Sequence, residues 1–413
     1  MHDYAQYWLA MIRYGFRKNR LFNHWMIGLG VFIILGLSAY GVQLSRGLIA
    51  TNMTDQVSWG AYIANFTYLV GVAAAAVLLV IPAYIYKHDD VKEVVIIGEL
   101  LAVSAIGMSL LFIVVDLGRP DRMLHIIPLI GRLNFPQSIL AWDVVVLTGY
   151  LFLNLHIPGY LLYKKYRNET PTTKYYRPFV FISILWAVSI HTVTAFLYSG
   201  LGGRPFWNSA ILAPRFLVSA FASGPALMIL CFSAINHVTH YHVKPSVETL
   251  MIRIIRVALP VNYFLLFCEL FKEFYTDSVH SLSAHYLFFG IQGHGMLVPY
   301  IWASLLFGIT AGAIFFTRRW VADRRLLLLA CALTIVGIWI EKGMGLIIPG
   351  FIPTPLGDLV EYTPSWVEFF ICLGIWATGA AVFTVMARVA LGIEMGKLRL
   401  KAPSQVKEPQ DRE

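Results

Sequence analysis

The apolar run from Val94 to Val115 ends in Asp116-Leu117-Gly118-Arg119-Pro120-Asp121-Arg122. An apolar run of about 20 residues spans a bilayer as a helix, and Gly118 and Pro120 then end that helix. Two carboxylates and two guanidinium groups therefore crowd into a turn at the membrane surface. Charged side chains at the end of a membrane helix often only cap the helix or extend into the solvent. A functional role for this turn therefore depends on which other polar residues lie nearby.

The whole chain repeats this pattern of apolar runs and polar turns. Hydrophobic residues make up 58% of its 413 residues and charged residues 13%, against about 25% charged residues in soluble proteins. The sequence predicts an all-α polytopic membrane protein. Its ten predicted spans are residues 25–45, 61–86, 94–115, 138–163, 177–200, 213–236, 253–273, 296–316, 326–347 and 367–391.

Three regions follow from this pattern. Residues 1–24 form an amphipathic segment that we expect to lie at the membrane interface, residues 25–391 form the transmembrane domain, and residues 392–413 form a polar tail. The first span is a full span, not a cleavable signal peptide. A weak likeness between residues 65–71 and 216–224 predicts two four-helix bundles, spans two to five and six to nine, flanked by spans one and ten.

The basic residues fix the predicted orientation. They concentrate in alternate loops and in both terminal segments, which places both termini in the cytoplasm. The opposite loops then face the periplasm if the membrane is a bacterial inner membrane. The net charge of +9 therefore reflects topology and does not indicate a nucleic-acid partner.

Polar residues converge in the outer half of spans two to five. Asp116, Asp143 and His191 are the candidate proton donors and acceptors, because quinone reduction requires protons within hydrogen-bond reach. An aromatic-lined pocket with a few polar groups suits a flat ligand with two carbonyls, such as a quinone headgroup. The candidate binding residues at this depth are Tyr62, Asn65, Arg119, Arg122 and Trp142.

Each of these residues also has a structural explanation. His191 fits a hydrogen-bonded core histidine, and Asp143 fits an ion pair with Arg119 or Arg122. Trp142 fits an interfacial belt, while Tyr62 and Asn65 fit interhelical contacts. The convergence is more informative than any one member.

A second set of polar residues approaches from the inner side. Glu99, Ser104 and His156 form a candidate proton path toward Asp143, although Glu99 and His156 also fit a simple mutual pair. In the second bundle, Glu341 and Lys342 lie at the depth of Glu269, Lys272 and Glu273, which fits a relic site or an interface. Glu368 is expected to cap the start of span ten.

Several motifs resemble the NrfD/PsrC family, the membrane subunits of polysulfide-reductase-type oxidoreductases. The matching stretches are Trp59-Gly60-Ala61-Tyr62-Ile63-Ala64-Asn65-Phe66, the Asp116–Arg122 turn, Ser189-Ile190-His191-Thr192-Val193-Thr194-Ala195, Gly203-Arg204-Pro205-Phe206-Trp207 and Ala213-Pro214-Arg215-Phe216. The ten-span form is most similar to the branch that includes the membrane subunits of alternative complex III and of the menaquinone reductase complex.

The resemblance implies a quinone site, here for menaquinone, near the periplasmic face. It also implies an adjoining iron–sulfur subunit, within a complex that holds a molybdopterin-oxidoreductase-like subunit and a multihaem cytochrome c. Such membrane subunits carry no redox cofactor of their own. The four isolated cysteines and the lack of any C-x-x-C in the sequence agree, since haem attachment, iron–sulfur and zinc sites favour such spacing.

Three alternatives remain open from the sequence. The residues do not decide between quinone reduction and quinol oxidation in a related complex. A dihaem cytochrome b needs facing histidine pairs at matched depths, and His156 and His191 lie at different depths. A secondary transporter places its charges near the midplane, whereas here they crowd one side.

Overall fold

The computed structural model describes residues 2–127, 129–276 and 278–400. Within these ranges the chain is helical and contains ten helices long and apolar enough to cross a membrane. They are α1 (Arg20–Arg46), α2 (Ala61–Ile85), α3 (Val95–Asp116), α4 (Ile139–Tyr166), α5 (Thr173–Ser199), α6 (Leu212–Val238), α7 (Pro245–Thr276), α8 (Val298–Phe316), α9 (Arg324–Phe351) and α10 (Trp366–Glu394). The predicted all-α class and ten spans are confirmed.

The N-terminal segment is a separate helix, His2–Gly15, which ends well before residue 24. Asn19 caps α1 by accepting a hydrogen bond from the backbone N–H of Leu21, so residues 20–24 belong to the first span. The N-terminal helix exposes Trp8 and Ile12 and buries Tyr7. Of the predicted tail 392–413, residues beyond 400 lie outside the described part of the chain.

The helices pack as two four-helix bundles. α2 packs on α3 and α5, and α4 packs on both α3 and α5, which closes the first bundle (α2–α5). The second bundle (α6–α9) closes in the same way through α6 with α7, α7 with α8, α8 with α9, and α9 with α6. The bundles meet where α2 and α5 pack on α6 and where α2 packs on α9. At that interface a Cβ added to Gly224 would lie 1.9 Å from the Cβ of Ala75, so glycine permits the crossing.

The first and last spans form a pair beside the first bundle. α1 packs on α10, and α10 packs on α3. At the crossing of α1 and α10, a Cβ on Gly36 would lie 2.7 Å from the Cα of Gly374, and the reverse distance is also 2.7 Å. The two backbones touch only because neither residue has a side chain.

The loops divide between two faces. The terminal face carries both ends of the described chain, and the distal face carries the loops that join α1 to α2, α3 to α4, α5 to α6, α7 to α8 and α9 to α10. On the terminal face Lys244 donates to Asp90 at 2.9 Å and to Glu93 at 2.8 Å, and Ser246 donates to Asp90 at 2.6 Å. The hydrogen bonds from Lys244 and Ser246 hold the pKa of Asp90 below its ordinary value. This network ties the two bundles together.

Two spans contain a turn of π-helix, Ile81–Ile85 in α2 and Ile340–Met344 in α9. A π turn inserts one extra residue and changes which way the following side chains point. The turn in α9 contains Glu341 and Lys342, which are both buried.

Candidate functional site

The distal half of the first bundle holds two buried hydrogen-bonded pairs. Thr194 on α5 donates to Asp143 on α4 at 2.9 Å. One turn further along α5, the hydroxyl of Tyr198 lies 2.5 Å from that of Thr67 on α2. All four side chains are at most 3% exposed. Thr194, and not Arg119 or Arg122, is therefore the partner of Asp143.

His191 lies on the same face of α5 and is fully buried. Its Nδ1 is 3.3 Å from the carbonyl oxygen of Ala187. Because a carbonyl only accepts, this contact places the proton on Nδ1 of the neutral ring and leaves a lone pair on Nε2. Nε2 is buried and has no hydrogen-bond partner among the described residues. It is thus a buried acceptor that no donor among the described residues satisfies.

Four aromatic side chains, here named the aromatic cap, lie on the distal side of Asp143, His191 and Thr194. We define the cap as Trp59, Tyr198, Trp207 and Phe351. Trp59 and Trp207 stack with ring centroids 5.6 Å apart, and Tyr198 meets them edge-on at 5.8 and 5.7 Å. Phe351 on α9 meets Trp207 edge-on at 5.0 Å. Large apolar rings exclude water from the polar groups beneath them and provide flat surfaces for a planar ligand.

A second cluster of polar side chains lies at the end of α3. Tyr62 donates to Oε1 of Gln43 on α1 at 2.6 Å, and Gln43 donates to the carbonyl of Val115 at 2.6 Å. Asp116 follows Val115, and its buried Oδ1 makes no hydrogen bond to the described residues. Tyr62 therefore faces α1, and Asp116 ends α3, the helix of the first bundle on which α10 packs.

Glu368 does cap α10, as predicted, through a capping box with Ser365. It also accepts a hydrogen bond from the backbone N–H of Asn52 at 3.0 Å and from the hydroxyl of Tyr362. Its side chain is fully buried, so it fastens the distal loops to α10. The sequence did not single out Gln43, because one amide in an apolar span forms no pattern.

Asn65 points away from the first bundle, contrary to the predicted convergence. Its Oδ1 accepts from the indoles of Trp339 on α9 at 3.0 Å and Trp376 on α10 at 2.9 Å. Its Nδ2 donates to the carbonyl of Ala61 at 2.8 Å. Asn65 is thus an interhelical contact, in keeping with the structural explanation of this residue.

Three other predicted binding residues lie on the surface. Arg119 forms a two-pronged ion pair with Asp121, at 2.9 and 3.0 Å, and both side chains are more than half exposed. The pair lowers the pKa of Asp121 through the Arg119 hydrogen bonds and raises the pKa of Arg119. Arg122 is exposed, and Trp142 is 38% exposed with its indole bound to the carbonyl of Pro136. The turn after Asp116 carries these charges outward, so they do not join the buried group.

The predicted proton path is only partly assembled. Glu99 is 1% exposed, and its Oε2 and the Ser104 hydroxyl have no hydrogen-bond partner within the described ranges. His156 is instead exposed and packs edge-on against Phe179 at 4.5 Å. Tyr150 on α4 is also buried, and its carbonyl accepts a hydrogen bond from Asn154 at 2.9 Å. His156 turns outward because it lies on the opposite side of α4 from Asp143 and Tyr150.

The second bundle contains a buried ion cluster, here named the second-bundle cluster: Arg215, Asn262, Glu269 and Glu341. Arg215 on α6 donates to Glu341 at 2.7 Å through Nη2 and at 3.2 Å through Nε, and it also pairs with Glu269. Asn262 donates to the other oxygen of Glu341 at 3.0 Å. A cavity of about 10 Å³ adjoins the cluster, about the space of one water. Glu269 and Glu341 do come together as predicted. Their shared partner is Arg215, which the sequence analysis names only as part of a family motif.

Lys342 stands between this cluster and the first bundle. Its Nζ lies 4.2 Å from the centre of the Phe216 ring and donates to the Phe216 carbonyl at 3.3 Å. A Cβ added to Gly71 of α2 would lie 3.1 Å from this Nζ. Lys272, which the sequence places at the same depth, is exposed and pairs with Glu273 at 3.3 Å. Among the described residues, no three His, Cys, Asp or Glu side chains are grouped to hold a metal ion.

Comparison with known proteins gives consistent matches. Residues 49–353 match the family profile described as polysulphide reductase, NrfD. That stretch includes both bundles and leaves out all of α1 and all of α10.

Three relatives illustrate the range of the matches. A putative membrane subunit of the dimethyl sulfoxide reductase of Halobacterium salinarum is 29% identical over 50% of this chain and 50% of its own length. A selenate reductase subunit of Mesobacillus selenatarsenatis is 24% identical over 50% of this chain and 55% of its own. The Hdr-like menaquinol oxidoreductase integral membrane subunit of Archaeoglobus fulgidus is 25% identical over 87% and 91%. The chain thus spans about half of the first two relatives and most of the third.

Proposed function

The chain belongs to the NrfD family of polysulphide reductase, and from this premise we propose that it exchanges electrons between a periplasmic iron–sulfur partner and menaquinone. As a member of this family it is an integral membrane subunit of an oxidoreductase complex. The menaquinone substrate, the partners and the direction are part of the proposal. The terminal face is cytoplasmic in this proposal, with the distal face in the periplasm of a bacterial inner membrane.

One observation supports the quinone site above the others: the unpartnered, fully buried Nε2 of His191 beneath the aromatic cap. A quinone carbonyl that gains electrons needs a proton at its oxygen, and His191 and Asp143 are the ionisable groups on this face of the first bundle. Thr194 holds the Asp143 carboxyl in place. We assign His191 and Asp143 as the proton donors, and Tyr198 and Trp59 as the wall that keeps water out.

Menaquinone reduction in this proposal takes up two electrons and two protons. The electrons come from the iron–sulfur subunit, docked on the distal loops. Exposed Arg119, Arg122 and Trp142 then belong to that docking surface and do not bind quinone. A molybdopterin-oxidoreductase-like subunit and a multihaem cytochrome c complete the proposed complex.

The protons come from the terminal face through Glu99 and Tyr150, which replace the predicted path through His156. Asp116 and Tyr62 lie at the edge of the site, between α1, α3 and α10. Uptake of protons from one side and electrons from the other makes the reaction electrogenic.

Quinol oxidation is the second candidate, because the Archaeoglobus relative is named as a menaquinol oxidoreductase subunit. The same residues serve both directions, since a group that donates a proton in one direction accepts it in the other. Measuring both half-reactions with the purified complex separates the two functions.

The test uses the intact complex in lipid nanodiscs with a soluble menaquinone analogue. Asp143→Asn and His191→Gln, made separately, should each slow quinone turnover by about 100-fold or more while the subunits still co-purify. Thr192→Ala is the matched control, because Thr192 adjoins His191 but is only half-buried, and its hydroxyl donates to the carbonyl of Val188 on its own helix. Wild-type turnover in both test variants would remove these residues from the reaction.

A further inference from the structure

A cleft of about 280 Å³ opens on the terminal face of the second bundle. It lies between the first turns of α7 and the connection from α8 to α9, which is a short helix, Arg318–Ala322. One part of its wall is apolar and consists of Ile252, Val321 and Leu327. Because α7 and α9 begin and α8 ends at this level, the cleft lies where the bilayer headgroups meet water.

Arg256 lines this cleft and has donors that its surroundings do not use. Its Nε donates at 2.6 Å to the carbonyl of Phe315, in the last turn of α8, which fixes the half-buried guanidinium in place. Within the described ranges this is its one hydrogen bond, so both Nη groups keep their N–H donors for a ligand. The other arginine of the cleft, Arg324, pairs with Glu248, the carboxylate in the wall. The charge of Arg256 therefore has no counter-charge in the cleft.

The elements around the cleft are strongly basic. Four more arginines are exposed on them: Arg253, Arg318, Arg319 and Arg325. The acidic residue among them, Asp323, caps α9 and accepts from the backbone N–H groups of Arg325 and Leu326 at 2.8 and 3.3 Å. Trp320 is 45% exposed on the short helix, and tryptophan favours the headgroup level of a bilayer. This rim therefore attracts anions that are held at the membrane surface.

A phospholipid matches both the charged and the apolar parts of the cleft. An arginine forms paired hydrogen bonds to phosphate oxygens, which a free phosphate also offers. A free phosphate gains nothing from Ile252, Val321 and Leu327, whereas an acyl chain buries its first methylenes against them. A zwitterionic headgroup brings a second cation toward the basic rim, so an anionic headgroup fits better.

We propose that this cleft binds one anionic phospholipid. The Nη groups of Arg256 donate to the phosphodiester, and the apolar wall contacts the upper part of an acyl chain. The bound lipid joins the start of α7 to the connection between α8 and α9. The site lies in the second bundle, on the face opposite the aromatic cap, so it does not depend on the proposed quinone reaction.

The test uses the full chain, purified in detergent with the subunits that accompany it and freed of native lipid. A photoreactive phosphatidylglycerol should cross-link to peptides that contain Ile252 and Val321, and unlabelled competitors then report affinity. Phosphatidylglycerol should compete about tenfold better than phosphatidylcholine with the same acyl chains. Arg256→Gln should weaken phosphatidylglycerol binding about tenfold. Arg388→Gln is the matched control, because Arg388 is also half-buried on the terminal face and donates to a backbone carbonyl, that of Gly15, at 3.1 Å.

A second pair of variants leaves Arg256 and its bond to Phe315 intact. Ala322 lines the cleft at an exposed position, where either Glu or Gln is accommodated. Ala322→Glu places a carboxylate beside the phosphate and should weaken binding about tenfold, whereas Ala322→Gln, of the same shape, should bind like the wild type.

Three results would overturn the lipid site. Equal competition by phosphatidylglycerol and phosphatidylcholine would remove the role of charge. Wild-type binding in both Arg256→Gln and Ala322→Glu would place the cross-linked lipid outside the cleft. Complete competition by inorganic phosphate would assign the cleft to a free phosphate instead of a lipid headgroup.

Discussion

Replacing Arg215 by methionine tests the charge balance of the second-bundle cluster. In the wild type, Arg215 and Lys342 balance Glu269 and Glu341. Methionine leaves one buried carboxylate without a counter-charge and removes three hydrogen bonds to the two glutamates. Breaking a buried ion pair from one side costs about 3–5 kcal/mol. At about 1.4 kcal/mol per factor of ten, the folded-to-unfolded ratio should fall by roughly two to nearly four orders of magnitude.

The same reasoning predicts a rescue. Arg215→Met combined with Glu269→Gln restores neutrality, because one buried cation, Lys342, then balances one buried carboxylate, Glu341, so the double variant should regain most of the lost stability. Unfolding can be followed with a thiol-reactive dye, because Cys331 on α9 is fully buried and free. Arg119→Met, which removes an exposed ion pair, is the control and should unfold like the wild type. The reasoning is refuted if the single variant is as stable as the wild type, or if the double variant is no better than the single.

Three further predictions follow from contacts elsewhere. Because the folded pKa of Asp90 lies below its unfolded value, its bonds to Lys244 stabilise the terminal face above about pH 4 and are lost as the pH falls through the lowered pKa. The protection factors for hydrogen exchange in the α2–α3 loop should therefore fall in acid, and those of Asp90→Asn should be low at every pH. Gly36→Leu should separate α1 from α10, since even a Cβ would lie 2.7 Å from the Cα of Gly374, and a cysteine cross-link between these helices should fail while the second bundle stays folded. Glu99→Gln should slow proton uptake at the terminal face by about 100-fold in proteoliposomes with a pH dye, and equal uptake would eliminate this path.

The spans were predictable from the sequence, whereas the facing of their polar residues was not. A run of about 20 apolar residues between polar loops leaves few choices for a helix in a bilayer. A helix that is apolar on nearly all sides has no preferred face. Asn65 and His156 therefore lie at the predicted depth, but their side chains do not point toward the predicted site. Packing against the neighbouring helices determines where each side chain points.

Contacts between residues far apart in the chain were the second feature that the sequence could not predict. Arg215 stands near the start of a span, where a charge commonly reaches for water. Its partners, Glu269 and Glu341, lie 54 and 126 residues further along the chain. Only the assembled second bundle brings the three together. The sequence predicts roles for His191 and Asp143 because each is an ionisable residue well inside an apolar span, where such residues are costly.

The π turn of α9 has a consequence for dividing the protein into modules. Its two adjacent residues serve different halves: Glu341 completes the second-bundle cluster, whereas the Nζ of Lys342 lies against Gly71 of the first bundle. A shortened chain that stopped after α5 would retain His191, Asp143 and Thr194 and would still lack the Phe351 ring of the aromatic cap and the lysine at the interface with α2. Gene fusions, swaps between relatives or minimised versions of this protein therefore have to carry α9 along with α2–α5, although more than a hundred residues separate them in the chain.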